Sequence, residues 1–320
     1  MRSLVLAHGR RIQLENCPAP AVSPEECLIR VTFAGICGTD LQMLDGYADF
    51  SGTPGHEFVG LVEEAPPQEA HWVGRRVVGE INVGCGTCEW CARGVKEHCP
   101  ARTVLGIRGR AGAFADYVTL PASNLHEVPA SVDEQAAVFV EPIAAACRIL
   151  EQIDIASSTR VAVIGDGRLG NLTAQVLRTR TPHVTMFGRH ADKLRVAREA
   201  GIDARENGHP TERYEVVVEA TGSPEGLPRA IELIEPRGTI VLKSTCHGDT
   251  TMPLWTIPVQ EITVIGSRCG PFGPAIELLA NGAVKTAPLV AQTLPLEDYE
   301  RAFAAARSQL KVLFVLSSAF

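Results

Sequence analysis

The chain has 320 residues, 45% hydrophobic and 21% charged, with 30 basic and 37 acidic residues for a formal net charge of −7. That length predicts two domains with a sizeable core, while the acidic balance disfavours nucleic acid as a partner, because Arg102, Arg108 and Arg110 are too scattered to make a basic patch. No apolar run approaches the roughly 18 residues that span a bilayer, and MRSLVLAHGRRIQLE has too short an apolar stretch before His8 and Arg10 for a secretory leader, so a cytoplasmic protein without membrane partners is expected.

Up to about residue 140 the chain is rich in Gly, Pro and short β-type runs. CLIRVTFAG, HEFVGLVEE, RRVVGEINV and FADYVTLP read as strands between turn signals. The first run leads into Gly35-Ile36-Cys37-Gly38-Thr39-Asp40, and Gly55-His56-Glu57 opens the second. Cys37 and His56 are a soft thiolate and an imidazole from separate loops, a pair suited to zinc with an open coordination position. Next come Cys85, Cys88, Cys91 and Cys99, four of the ten cysteines within one short excursion. Clustered cysteines in a chain of this size read as metal ligands rather than as a disulfide framework. Four thiolates close tetrahedrally around Zn²⁺ and leave no open position, so this loop (85–99) is expected to be structural.

From about Ala144 the texture changes to alternating strands and helices. VAVI is a buried strand, LGNLTAQVLRT an amphipathic helix, HVTMFG a second strand, and ADKLRVAREAG a helix stopped at Gly201. YEVVVEATG, GTIVLKST and EITVIGS follow as strands, while Pro228 interrupts the helical pattern after SPEGL. Such alternation predicts a parallel sheet with helices on its faces. After about Ser267 the chain holds two helical stretches, PAIELLANG and EDYERAFAAA, and a last strand, VLFVL.

Between VAVI and its helix lies Gly165-Asp166-Gly167-Arg168-Leu169-Gly170. Gly165 allows the tight turn, Gly167 lets a pyrophosphate approach the backbone, and Gly170 permits close helix–strand packing, all ahead of a helix N-terminus that favours anions. The second strand then ends at Gly188 instead of the acidic residue that would bind the ribose hydroxyls of NAD, and Arg189 and His190 follow. A missing carboxylate and an added guanidinium suit a 2′-phosphate, so NADP(H) is expected over NAD(H).

These motifs, with FVEP around Glu141, VVEATG and GSRCG, resemble in type and order the zinc-dependent medium-chain dehydrogenase/reductase superfamily, particularly its alcohol, polyol and threonine dehydrogenase branch. The resemblance implies an α/β chain: a doubly wound Rossmann domain (144–265) inserted in a β-rich, GroES-like catalytic domain (1–143), with a return at 266–320 and the active site in the cleft. It implies catalytic zinc on Cys37 and His56, completed by Glu57 or Glu141, and a second, structural zinc on the four-cysteine loop. An alcohol or polyol would pass a hydride to the nicotinamide, and Thr39 would take the first proton. Thr221, Gly222 and Arg268 would contact the cofactor, and a homo-oligomer, dimer or tetramer, is implied. Two departures stand out. Gln42 replaces the histidine that often follows Thr39's counterpart and cannot titrate, and the link VEEAPPQEAHWVGRRVVGE is short and proline-rich. Rival readings are a zinc-free quinone or enoyl reductase, which would lack the Cys37/His56 pair, and a catalytically silent nucleotide-binding sensor, which Gln42 alone favours. His71, His98, His126, His183, His209 and His247 match no motif, and Cys17, Cys27, Cys147, Cys246 and Cys269 read as small apolar fillers.

Overall fold

A computed structural model describes residues 1–7, 11–46, 50–208, 212–245 and 249–317. His8, Arg10, His209, Cys246 and His247 lie outside the described residues. Strands β1 (Arg2–Leu6) and β2 (Ile12–Asn16) open the chain. There follow β3 (Glu26–Gly35), α1 (Gly38–Leu44), β4 (Glu57–Glu64), β5 (Arg76–Gly79), β6 (Asn82–Val83), α2 (Glu89–Ala92), β7 (Thr103–Leu105), β8 (Gly109–Arg110), β9 (Tyr117–Pro121), β10 (Leu125–Glu127) and α3 (Glu134–Ala137). Helix α4 (Val140–Gln152) leads into β11 (Val161–Ile164), α5 (Arg168–Arg178), β12 (Val184–Gly188), α6 (Ala191–Glu199), β13 (Asp203–Glu206), β14 (Tyr214–Glu219), α7 (Gly226–Leu233), β15 (Ile234–Leu242), α8 (Thr256–Val259) and β16 (Thr263–Gly266). The remainder holds α9 (Phe272–Ala280), β17 (Val290–Pro295), α10 (Tyr299–Ala306) and β18 (Lys311–Val315).

The chain divides into two units, Met1–Glu141 with Val290–Phe320, and Pro142–Leu289. In the second unit six parallel strands run in the order β13-β12-β11-β14-β15-β16, a doubly wound sheet whose central strands reverse order at β11. Successive side chains on β11 point to opposite faces. Val161 and Val163 join Ala174, Leu177 and Leu194 under α5 and α6, whereas Ala162 and Ile164 join Ala230, Ile231 and Ile240 under α7. Both faces are therefore buried, which is why VAVI is apolar throughout. Pro228 does not break α7: it sits within the first turn, where its missing N–H has no intrahelical partner to lose.

Residues 266–289 were expected with the returning segment, but they pack with the second unit. Their attachment is specific: Gln175 on α5 donates to the Lys285 carbonyl at 3.2 Å and accepts the Lys285 amide at 2.7 Å. The sequence offers no periodic signal for such a tie, because it depends on one buried amide side chain reaching across the fold.

The first unit is built on a mixed sheet ordered β10-β5-β4-β3-β18-β17, with β9 also paired to β3. β18 adds antiparallel to the end of β3, Leu313 opposite Gly35. The last strand of the chain is thereby brought against the strand that carries the GICGTD turn. Strands β1, β2, β7, β8, β10, β13 and β17 are not among the runs read from the sequence; β13 reads DARE with only Ala204 buried, so it has no apolar run to reveal it.

Candidate functional site

Helix α1 begins immediately after Cys37, which serves as its N-cap. Asp40, 1% exposed, accepts the Cys37 amide through Oδ2 at 2.7 Å and so locks the turn that presents the thiol. Its other oxygen, Oδ1, lies 3.4 Å from His56 Nδ1. His56 and Glu57 arrive from the start of β4, both buried. Cys37 Sγ, a His56 ring nitrogen and a Glu57 carboxylate oxygen all lie within 4.8 Å of one another. His56 Nδ1 and Asp40 Oδ1 are buried against each other, and the buried Glu57 Oε2 faces the Lys311 ammonium. A thiol, an imidazole and a carboxylate converging in a buried site are a donor set that fits a tetrahedral cation with one open position. Burial disfavours the His56 imidazolium, but the Asp40 carboxylate and the Cys37 sulfur outweigh it and hold the ring's pKa well above its ordinary value.

Glu57 has a second neighbour, which the sequence did not reveal. Lys311, fully buried at the start of β18, places Nζ against Glu57 Oε2, donates to the Ile36 carbonyl at 3.3 Å, and stands 5.5 Å from the centre of the Phe139 ring. Burial pushes the Lys311 amine down to about 8, against the opposing pull of Cys37 and Asp40. Thr39 lies in the first turn of α1, its hydroxyl 3.8 Å from Cys37 Sγ. Gln42 Oε1, one turn further, is buried and accepts no hydrogen bond. Glu141, in the first turn of α4, is half-buried and is not one of the three grouped donors.

The four-cysteine loop also closes as its spacing predicts. Cys85, Cys88, Cys91 and Cys99 bring their sulfurs within 4.8 Å of one another, with Cys99 buried and Cys85 exposed. The Thr87 hydroxyl, aided by nearby amides, draws the Cys85 thiol down to about 6, so it is readily a thiolate. This set fits a cation that needs four sulfur ligands and no substrate. Of the dispersed cysteines Cys27 and Cys147 are buried as expected of fillers, whereas Cys17 and Cys269 are only half-buried.

In the second unit the fingerprint behaves as its glycines require. Gly165 has φ +114°, and a Cβ there would lie 2.5 Å from the Ala220 carbonyl oxygen; a Cβ on Gly170 would lie 1.9 Å from the Gly165 carbonyl oxygen. A Cβ on Gly167 would meet nothing within 4 Å, which leaves open the approach to the N-terminus of α5. A cavity of about 570 Å³ opens here, and Gly165, Gly167, Gly188, Arg189, His190 and Thr221 all line it. Arg168, Leu169, Gly170, Gly222 and Arg268 are not among its lining residues; Gly170 acts through packing instead, and Arg268 is exposed after β16.

A second residue missed in the sequence is Glu219, 3% exposed at the end of β14. It accepts the Thr221 amide at 2.7 Å, the Thr221 hydroxyl at 2.5 Å and the Ser244 hydroxyl at 2.9 Å, while Ser244 accepts the Gly222 amide at 2.7 Å. One carboxylate thus orders the strand-end turn that borders the cavity. Its signal was present in VVVEATG, where an acid interrupts a run that both faces of the sheet would bury.

Comparison with known proteins agrees with both halves. Residues 23–130 match the alcohol dehydrogenase GroES-like domain, and residues 169–281 match the zinc-binding dehydrogenase family. An erythritol/L-threitol dehydrogenase of Mycolicibacterium smegmatis is 30% identical over 93% of this chain and 92% of its own. Among solved structures, a short chain alcohol dehydrogenase of Escherichia coli complexed with NADH superimposes with a TM-score of 0.91 at 26% identity, covering 99% of both chains. A zinc-binding dehydrogenase of Sinorhizobium meliloti bound to NADP gives 0.90 at 28%, covering 98% of this chain and 99% of the other.

Proposed function

This chain belongs to the zinc-dependent alcohol dehydrogenase family of the medium-chain dehydrogenases, and from that footing we propose that it oxidises an alcohol or polyol with NADP⁺ in preference to NAD⁺, using one catalytic and one structural zinc. The observation that carries the catalytic half is the convergence of Cys37, His56 and Glu57, three metal-ligating side chains whose donor atoms lie within 4.8 Å of one another. The intact pair of Cys37 and His56 also weighs against a zinc-free reductase and against a silent sensor. The relatives named for polyols, including the sorbitol dehydrogenase of Halalkalibacterium halodurans at 29% identity over 98% of this chain, support that substrate class.

Cys37, His56 and Glu57 would hold the catalytic zinc, and Cys85, Cys88, Cys91 and Cys99 the structural one. Glu57 is preferred over Glu141 because only Glu57 stands with the other two donors. Bound zinc would supply a Lewis acid that lowers the pKa of an alcohol oxygen, and a bound nicotinamide would supply the hydride acceptor. Asp40 fixes the Cys37 turn and faces His56, so it keeps both ligands in place. The Thr39 hydroxyl is the nearest proton carrier on this turn and takes the substrate proton. Gln42 carries no proton onward, so the relay beyond Thr39 runs through water or a cofactor hydroxyl. Gly165, Gly167 and the N-terminus of α5 would receive the pyrophosphate, Arg189 and His190 the adenosine end, and Thr221 and Gly222 the strand-end side of the cofactor. Arg168 and Leu169, in the first turn of α5, and Arg268, after β16, would be further cofactor contacts.

A homo-oligomer is proposed through β16, an edge strand of the sheet with exposed Val264 and with Leu254, Trp255 and Val259 exposed nearby. A cytoplasmic setting is proposed because thiolate ligands persist in a reducing compartment; no described helix is long and apolar enough to cross a membrane. The test is a panel of alcohols and polyols assayed with each nucleotide. Turnover with kcat/KM higher for NADP⁺ is expected, whereas equal or better kcat/KM with NAD⁺ would overturn the nucleotide preference, and no turnover by zinc-loaded protein would overturn the reaction.

A further inference from the structure

Strand β12 ends on Gly188, and the strand-end carboxylate that would bind a ribose diol is missing from the sequence there. The space is nevertheless filled. A Cβ built on Gly188 would lie 2.4 Å from Asp166 Cβ and 2.5 Å from Asp166 Oδ2. Asp166 occupies the second position of the phosphate-binding turn, and its side chain lies across the end of β12, only 10% exposed. Oδ2 accepts the Arg189 amide at 2.6 Å and the His190 amide at 2.6 Å. The His190 ring completes the set, with Nδ1 3.1 Å from Oδ1 and 3.0 Å from Oδ2. Burial opposes ionisation of this carboxyl, but the His190 amide and ring and the Arg189 amide prevail and hold it below the usual carboxylate range.

Two consequences follow from that geometry. A larger side chain at position 188 has nowhere to go while Asp166 is present. The carboxylate is also committed to the protein's own amides, so it fixes the turn that carries Arg189 and leads to Lys193, two cations lining the cavity. We propose that Asp166 is the positioning residue for cofactor choice in this chain: it takes the place of the strand-end acid, pins the 188–190 turn, and so presents Arg189 and Lys193 to a 2′-phosphate. The inference rests on the NADP(H) reading above for its direction, though the shared space of residues 166 and 188 does not depend on it.

The experiment compares Asp166→Ala, Asp166→Asn, Gly188→Asp and the double variant Asp166→Ala/Gly188→Asp. Nucleotide-free Tm tests the shared space, and Kd values for NADPH and NADH by fluorescence titration test the positioning role. Gly188→Asp alone should lower Tm, and adding Asp166→Ala should restore much of the loss, a non-additivity expected only of groups in contact. The double variant should shift the NADPH-to-NADH preference by about a hundredfold toward NADH. Asp166→Ala should weaken NADPH by about tenfold or more and NADH by clearly less, while Asp166→Asn, which keeps an acceptor for both amides, should stay within about threefold of wild type for NADPH. Additive Tm changes would overturn the shared space. Equal weakening of both nucleotides by Asp166→Ala, or a loss in Asp166→Asn as large as in Asp166→Ala, would overturn the positioning role. If the wild-type protein binds NADH better than NADPH, the NADP(H) reading fails by that ratio alone, and the Tm non-additivity still decides whether Asp166 holds the strand-end position.

Discussion

Replacing Lys311 by Met should cost more stability without metal than with it. Lys311 and Glu57 are 0% and 1% exposed at their side chains, so the pair is shielded from water. Removing one partner of such a pair leaves a buried charge uncompensated, at a cost of about 3–5 kcal/mol. Methionine keeps most of the aliphatic volume, so packing adds little. The Ile36 carbonyl also loses the donor at 3.3 Å, a loss on the order of 1 kcal/mol. When zinc is present a dication next to Glu57 takes over the compensation, and only the smaller losses remain, about 1–2 kcal/mol. The difference must reappear as tighter metal binding, because stabilising the folded, loaded state relative to the folded, empty one is the same quantity read from the other side of the cycle. A difference of about 2–3 kcal/mol corresponds to zinc binding tighter by roughly 30- to 150-fold. Urea unfolding of chelated and zinc-loaded protein, paired with competitive zinc titration, measures both. Equal destabilisation of the two forms, or weaker zinc binding in Lys311→Met, would refute the placement of Glu57 in the metal site.

Further outcomes follow from the same physical terms. Gly170→Ala sets a Cβ 1.9 Å from the Gly165 carbonyl oxygen; it should cost roughly 1–3 kcal/mol by overpacking and weaken both nucleotides, and a variant with unchanged Tm and Kd would contradict the close helix–strand approach. Glu80 lies between Lys96, 2.7 Å away, and His126, 2.8 Å away, and despite the opposing effect of burial these partners lower its pKa. A carboxyl with a lowered folded pKa contributes stability above its unfolded value and loses it as pH falls through the folded one. Glu80→Gln should therefore be about 1–2 kcal/mol less stable near neutral pH, with the gap closing in acid; a gap independent of pH in denaturant titrations would count against that pairing. Cys91→Ser should lower Tm and release one zinc while leaving nucleotide Kd unchanged, which differential scanning calorimetry and elemental analysis would check; an unchanged metal content would remove the four-sulfur site.

How far the sequence could be read depended on whether a feature is local. The four-cysteine spacing and the GDGRLG turn are complete within a few residues, and both close as expected. Pro228 was ambiguous only because its position relative to the helix start was not visible, and once α7 begins at Gly226 it is an ordinary first-turn proline. Features that depend on distant contacts were hidden. Asp166 reads as a variable position inside the fingerprint until Gly188 is seen to lack the Cβ that would collide with it. Lys311 reads as the polar start of a last strand until β18 pairs with β3 and brings it to Glu57. The segment 266–289 packs with the second unit through contacts such as the two hydrogen bonds of Gln175, which no pattern of hydrophobicity records.

The most direct measurement is zinc per chain by elemental mass spectrometry, on the wild type and on Cys37→Ser, with alcohol oxidation followed on the same samples. The two donor groups predict two zincs in the wild type, and in Cys37→Ser one zinc, nucleotide affinity retained and turnover lost. One zinc in the wild type, or a Cys37→Ser protein that still turns over, would contradict catalysis by a metal held on Cys37, His56 and Glu57.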